Sequence, residues 1–510
     1  MNLAGIIDPH PDLAPALITE SGQVTSYAEL RRSVAALQLR LSWANIGPDD
    51  RVAILSANDP AFVVGYLAVL SVGAVAVPLN IVSPPPELQR QLAQVDVTAI
   101  VVGPGATQVA DALAMVTGVM VIRVIPGPPL ADEPPPPTDE ALRQVERVVR
   151  RPEDLAALLF TAGTAGTPRA AMLTHGNLLA NLDQVERHPG RAMQASDRLL
   201  AVLPLCHIFG LNAVLGGALF VGASVVLLER FDPVRTIEVI AREGITIVVG
   251  SPTLFAALTA APSTAPTELS PMATVRFAFS GAAPLSSEVA DAWNKRFGLP
   301  LRQGYGLTEA SPVVTAAVMD EPARPSSIGL PIPGVEVRLV DDDGEETLAG
   351  DPGEIWVRGP NVFPGYWHDP QASAGALTDD RWLRTGDIAV VGDDGELAIV
   401  DRAKDLIIVS GFNVYPAEVE MALAEHPVVA DVAVVGDVDR YRGELVHAFV
   451  VVKAGQEVTA TELKQWCGAR LARYKCPTEI TFVANLPHGL AGKLLRRSLR
   501  TATATTAQSR

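Results

Sequence analysis

The sequence is poor in cysteine and has no excess of positive charge. Its three cysteines, Cys206, Cys467 and Cys476, form neither a metal-binding spacing nor an even disulfide set. That pattern points to a reducing, cytoplasmic setting. Lysine and arginine total 40 against 57 acidic residues, for a net charge of −17. A nucleic-acid coat is excluded, because such proteins carry a basic face. Phosphorylated ligands are not excluded, since they respond to the local field. There is no internal repeat, and the Walker A pattern does not fit any glycine loop. The first residues, "MNLAGIIDPHPDL", lack a basic stretch followed by a long apolar run, so no secretory signal is expected.

What is present is a long, ordinary globular composition. At 510 residues, 48% hydrophobic and 19% charged, the chain is too large for one core and should divide into at least two domains. Two uncharged runs, residues 62–79 and 208–228, are long enough for a membrane span. Each is interrupted by glycine and ends in β-branched residues, so each reads instead as a buried helix followed by a buried strand. Peripheral membrane contact and a homodimer are left open.

Strand-like runs recur with helical patterns between them: "RVAIL" at 51, "AIVVG" at 99, "LAALLF" at 155, "RLLAVL" at 198, "ITIVVG" at 245 and "VRFAFSG" at 275. This alternation predicts an α/β large N-terminal domain of layered sheets with helices. Proline-rich pieces at 82 and 133 read as surface loops. After residue 330, "GVEVRLV", "GEIWVRG" and "DDGELAIVD" alternate around Asp-Gly turns, which predicts antiparallel hairpins. Near Asp401 the texture changes again, to helices "PAEVEMALAEH" and "TELKQWCGARLARY" with strands between and after them. The expected division is 1–400, a hinge at 401–405, a small α+β C-terminal domain at 406–500 and a frayed tail at 501–510.

Several segments carry chemistry. "LLFTAGTAGTPRAAMLTHGNL", 158–178, reads as strand, glycine loop and helix, an arrangement whose backbone amides can converge on a phosphate. In "QGYGLTE", 303–309, a glycine–aromatic–glycine turn sets Tyr305 to face a base. Thr308 there can hold a phosphate oxygen, and Glu309 can hold Mg²⁺, which prefers oxygen ligands. "WLRTGD" places Asp387 after a glycine turn, where a carboxylate suits two neighbouring hydroxyls, such as those of a ribose, and is equally at home as a turn aspartate. "LPHGLAGKLLRR" isolates Lys493 in a loop.

In this order, and from about residue 20 to residue 500, these segments resemble the adenylate-forming superfamily. "VSGFNVYPAEVE" and "GYGLTE" look most like its fatty acyl-CoA synthetases. The resemblance adds a distorted β-barrel-like part to the large domain and makes the small domain a mobile lid. It implies ATP and Mg²⁺, with CoA as co-substrate, and a small carboxylic acid as the partner. The opening loop then takes the place of the family's [FY]TSGTTGxPKG segment, with Thr161, Gly163, Thr164, Gly166, Thr167 and Arg169 around the β- and γ-phosphates. Ala162 and Ala165 stand where hydroxyl residues are usual, which predicts weaker ATP binding.

The same resemblance assigns the remaining roles. Lys493 would bridge the substrate carboxylate and the α-phosphate, with Thr308 on that phosphate and Glu309 on the metal. Tyr305, between Gly304 and Gly306, would stack on adenine beside Gly281, Ala282 and Ala283. Asp387 and Arg402 would hold the ribose. His207 in "PLCHIFG" would sit between the acyl pocket and the thiol tunnel, unless it is a structural histidine on a buried helix. A hinge at Lys404 and Asp405 would swing the loop Ser410, Gly411 and Phe412 towards CoA. Small apolar residues at 208–218, with no cation among them, favour a hydrophobic, fatty monocarboxylate, with an aromatic acid as alternative. Rival readings are an acyl-AMP ligase that loads a carrier protein and, from the altered phosphate loop, a weakly active or non-catalytic nucleotide or acyl binder.

Overall fold

The computed structural model of the chain describes residues 1–124, 138–161, 168–189, 193–262, 270–283, 285–318, 324, 327–341, 344–348, 350–392, 395–402, 407–414, 416–486 and 499. Two large sheets face one another across a shared core. The first has six strands in the order 120–123, 99–102, 51–55, 75–79, 155–161, 169–174, parallel except for the last pair. The second has nine strands and runs from 330–331 through 313–316, 301–306, 277–280, 247–250, 198–201, 224–227 and 15–19 to 24–26. Each strand-like run named from the sequence falls on one of these strands.

Both long apolar runs are taken up inside the fold. Helix Pro60–Ser71 has all but its first residue buried and leads into the buried strand Val75–Leu79. Asp59 caps that helix by accepting from the Phe62 amide at 2.9 Å. The second run begins with a π-helical stretch, Phe209–Gly216, passes into helix Gly217–Val221 and ends in strand Ser224–Leu227. No helix among the described residues is long and apolar enough to cross a membrane.

Residues 336–402 form a four-stranded antiparallel sheet that meanders through 336–340, 353–358, 383–391 and 397–402. This is the barrel-like part. A small α+β unit follows, in which strands Val429–Asp439 and Gly443–Val452 carry helices Pro416–Ala424 and Ala460–Gly468. The expected helix at 461–474 is shorter than its pattern: it stops at Gly468, and a 3₁₀ turn at Arg473–Lys475 completes the segment. The expected tail, 501–510, and the hinge residues Lys404 and Asp405 lie outside the described residues.

Local structure departs from expectation at the opening motif. No helix directly follows the glycine loop. The chain first forms strand Arg169–Thr174, which pairs antiparallel with Leu155–Thr161, and the helix begins only at His175. Burial of Ala171 and Leu173 in the core shared by the two large sheets, and of Ala170 on the opposite face, outweighs the helical propensity of "RAAML". A capping box of Thr174 and Asn177 then starts the helix. The loop therefore has no helix N-terminus behind it, and any anion there must be held by loop amides and side chains.

Candidate active site

One cavity of about 560 Å³ lies where the nine-stranded sheet, the barrel-like sheet and the small C-terminal unit meet. It brings together Thr161, His207, Gly281, Ala282, Ala283, Gly304, Tyr305, Gly306, Thr308, Glu309, Asp387 and Phe412. These residues span 252 positions of the chain, so their convergence is a property of the fold. Arg169, Ser410 and Gly411 do not line it, and the side chain of Arg402 lies outside the described residues. Gly163, Thr164, Gly166, Thr167 and Lys493 also lie outside them.

Gly304 and Gly306 are strand residues, within Leu301–Gly306, rather than turn glycines. Crowding explains their identity. A Cβ on Gly304 would lie 2.7 Å from the Phe279 ring and 2.8 Å from the Thr315 carbonyl oxygen. One on Gly306 would lie 2.1 Å from the Pro312 carbonyl oxygen. Gly281 is similar: its Cβ would meet the end of the Phe209 ring at 2.8 Å. Asp387 is likewise inside a strand, Leu383–Val391, behind Gly386 at φ +73°.

The polar groups form two linked pairs. Tyr305 donates its hydroxyl to Asp387 Oδ2 at 2.7 Å, and Tyr366 donates to Glu309 Oε1 at 2.7 Å. Burial, and then the Asp387 carboxylate, push the Tyr305 phenol well above its usual range. Arg169 meets Asp369 at 3.2 Å and lies over the Tyr366 ring, 5.6 Å from its centre. The loop cation is thus held beside the Glu309 carboxylate through one aromatic residue. Tyr366 and Asp369 escaped sequence reasoning, although "PGYW" repeats the glycine–aromatic pairing of "QGYG".

His207 stands on the cavity wall just ahead of the π-helical stretch, not within a helix. Burial pulls its imidazole down to about 4, so the ring is neutral at pH 7. Its Nδ1 accepts from the Phe209 amide at 3.3 Å, which leaves the proton on Nε2. Burial pushes the neighbouring Cys206 thiol up to about 12, so it is a poor nucleophile at neutral pH.

Residues of the small unit close the remaining side. Phe412 stacks on Tyr474 with ring centres 4.4 Å apart and planes at 24°. Gly411, at φ +84°, packs so close to Ser251 that a Cβ would sit 2.9 Å from that side chain. Loop 410–412 therefore rests directly against the large domain. The donor set fits a magnesium nucleotide: Glu309 offers a carboxylate, Thr161 and Thr308 offer hydroxyls, and Tyr305 with Ala282 and Ala283 offers an apolar face.

Comparison with known proteins shows the family. Residues 8–367 match the family model described as AMP-binding enzyme, and residues 418–493 match the AMP-binding enzyme C-terminal domain. A feruloyl-CoA synthase from Amycolatopsis sp. is 37% identical over 485 residues, covering 95% of each chain. A long-chain-fatty-acid–CoA ligase from Bacillus subtilis is 34% identical, covering 94% of this chain and 90% of that one. Among solved structures, the amide bond synthetase McbA from Marinactinospora thermotolerans superposes with a TM-score of 0.88 at 32% identity, covering 98% of this chain and 99% of that one. The chain belongs to the AMP-binding enzyme family, as an adenylate-forming enzyme of the acyl-CoA ligase type.

Proposed function

We propose that the chain converts a hydrophobic monocarboxylic acid, fatty or aromatic, to its CoA thioester. Enzymes of this type use ATP, Mg²⁺ and CoA. In the first step the acid's carboxylate attacks the α-phosphorus of ATP, giving acyl-adenylate and pyrophosphate. In the second the CoA thiolate attacks the acyl carbon and AMP leaves. Such chemistry depends mainly on positioning and on stabilising developing charge.

The observation that carries the substrate class is the charge of the cavity. Among its described lining residues, His207 is neutral at pH 7 and Lys475 is already held by two glutamates. No described cation remains to pair with a second carboxylate, while Phe209, Phe279, Leu285, Val313 and Ile328 supply apolar surface. A dicarboxylate would be buried with one charge unpaired, at a cost of several kcal/mol.

Under this reading Lys493 stabilises charge in the first step, and its loss costs about 10²–10³ in rate. Thr308 contacts the α-phosphate and Glu309 the metal. Asp387 and Arg402 hold the ribose, and Thr161 with the loop 163–167 and Arg169 holds the outer phosphates. His207 faces the acyl group. Lys404 and Asp405 supply the hinge.

Mass spectrometry of products from short, medium and long fatty acids and from aromatic acids, with ATP and Mg²⁺, tests the proposal. Acyl-CoA from one class, absent in Lys493→Ala, is the expected result. Acyl-adenylate that CoA never discharges would overturn the choice of acceptor. The McbA superposition makes an amine the second reading, so a parallel arm offers simple amines instead of CoA.

A further inference from the structure

Lys475 has no part in the roles assigned above, yet it lies on the cavity wall and is among the most enclosed charges of the described residues. Its Nζ is 2.7 Å from Glu87 Oε1 and 2.9 Å from Glu418 Oε1. Relative exposures are 7% for Lys475 and 2% for each glutamate. Glu418 and Lys475 belong to the small C-terminal unit, on helix Pro416–Ala424 and on the turn Arg473–Lys475. Glu87 belongs to the large domain, on helix Pro85–Gln94. The cluster therefore exists only while the two parts are docked.

The second oxygen of Glu87 also works across the boundary, accepting the Ala472 amide at 3.2 Å. One carboxylate thus fixes both the ammonium and the backbone of the turn that carries it. Two anions around one cation are costly to enclose, and removing one partner leaves charge buried without compensation. Such clusters contribute little net stability, and in some systems they specify one geometry over its neighbours. Choice of residue agrees with this. The chain has six lysines and 34 arginines, and here it uses the compact ammonium, which can sit between two carboxylates in little space.

Docking in this geometry has a direct effect on the cavity. Tyr474, adjacent to Lys475, carries the stacked Phe412 ring into the wall shared with His207 and Cys206. Gly411 is pressed against Ser251 by the same arrangement. We propose that Lys475, gripped by Glu87 and Glu418, is a positioning residue for the acyl-transfer step: it registers the small unit so that Phe412 and Tyr474 close the cavity beside His207. The cluster must open when the small unit turns to present Lys493 for adenylation. This role rests on the two-step ligase reading.

The test separates the half-reactions in the full chain. Acyl-adenylate formation is followed by pyrophosphate release without CoA, and transfer by single turnover after CoA is added. Glu87→Gln keeps the Lys475–Glu418 pair and is the primary variant. The triple substitution Glu87→Gln, Glu418→Gln and Lys475→Met removes all three charges together, which guards against a fold lost to one unpaired ion. Both should slow transfer by about 30-fold or more while adenylation stays within about twofold. Hydrogen exchange at the Ala472 amide, which Glu87 accepts, should rise in the same variants without change in the strands of the six-stranded sheet.

Equal losses in both half-reactions would make the cluster merely structural and overturn the proposal. Unchanged transfer with unchanged exchange would overturn it as well. If the unaltered protein makes adenylate from no acid, the ligase reading fails; exchange at Ala472 then decides the docking role on its own, and unchanged exchange rejects it.

Discussion

Tyr305 and Asp387 are joined by a 2.7 Å hydrogen bond across 82 positions of sequence, in strands from two different sheets. The aromatic face and the carboxylate that the family resemblance assigns to base and ribose are thus one preorganised unit. Tyr305→Phe keeps the ring and removes the donor. A hydrogen bond to a charged group contributes about 1.5–3 kcal/mol. ATP KM should rise by about tenfold or more, with kcat little changed, in steady-state assays. An unchanged KM would mean that Asp387 is oriented by other contacts.

Gly281 controls how far Phe209 reaches into the cavity. Its Cβ would lie 2.8 Å from the end of that ring, so Gly281→Ala must displace Phe209. The ring is the movable partner, which predicts a changed acid preference with a stability loss of about 1–3 kcal/mol. A product panel before and after substitution checks it. Gly306→Ala has no such outlet, because the Pro312 carbonyl is backbone. Poor expression or a clearly lowered Tm is expected there.

Acid stability should depend on His175. It is fully enclosed, accepts the Leu3 amide at 3.0 Å through Nδ1, and burial pulls its pKa down to about 4. The unfolded chain binds that proton near pH 6.5. The native state therefore gains from a neutral ring above pH 6.5 and loses that gain as pH falls towards 4, by ~3 kcal/mol in all. Urea midpoints at pH 7 and pH 4.5 should converge in His175→Gln relative to the unaltered protein. A pH dependence of the same size in the variant would reject the idea.

Tyr366 holds one oxygen of Glu309, the expected metal ligand. Tyr366→Phe leaves the ring under Arg169 but frees the carboxylate to rotate. Half-saturation by Mg²⁺ should shift upward several-fold, read by titration calorimetry of ATP binding at graded metal concentrations. Were the titration unmoved while Tm fell, Tyr366 would be a packing residue only.

Restoring hydroxyls to the glycine loop probes the part outside the described residues. Ala162→Ser with Ala165→Thr adds two donors that the resemblance leads one to expect. At about 1 kcal/mol each, ATP KM should fall by roughly tenfold or more. An unaltered KM would show that amides and Arg169 already suffice.

Strands were the most legible feature. "AIVVG" and "ITIVVG" are short β-branched runs bounded by turn residues, and each lies buried between parallel neighbours. The hairpins after residue 330 were equally plain from their alternation. Arg169–Thr174 was not, because its alanines, methionine and leucine favour a helix while its strand state depends on pairing such as Leu159 with Ala171. Gly304 and Gly306 look like turn glycines until Phe279 and Pro312 are placed beside them. Glu87 and Lys475 lie 388 positions apart with no local pattern, so their contact exists only at the level of domain packing. Local periodicity finds elements, but it cannot find what two elements do to each other.

The π-helical stretch Phe209–Gly216 makes chain length itself a variable of this site. Wider turns of this kind accommodate one residue more than α geometry needs. A single-residue deletion within it would let the backbone close as ordinary α-helix, with the residues ahead of it and those behind kept near their present register. His207 and strand Ser224–Leu227 would keep their places, while the wall that Phe209 gives the cavity would be redrawn. A deletion here would alter the pocket and spare the fold, the reverse of what most core deletions do.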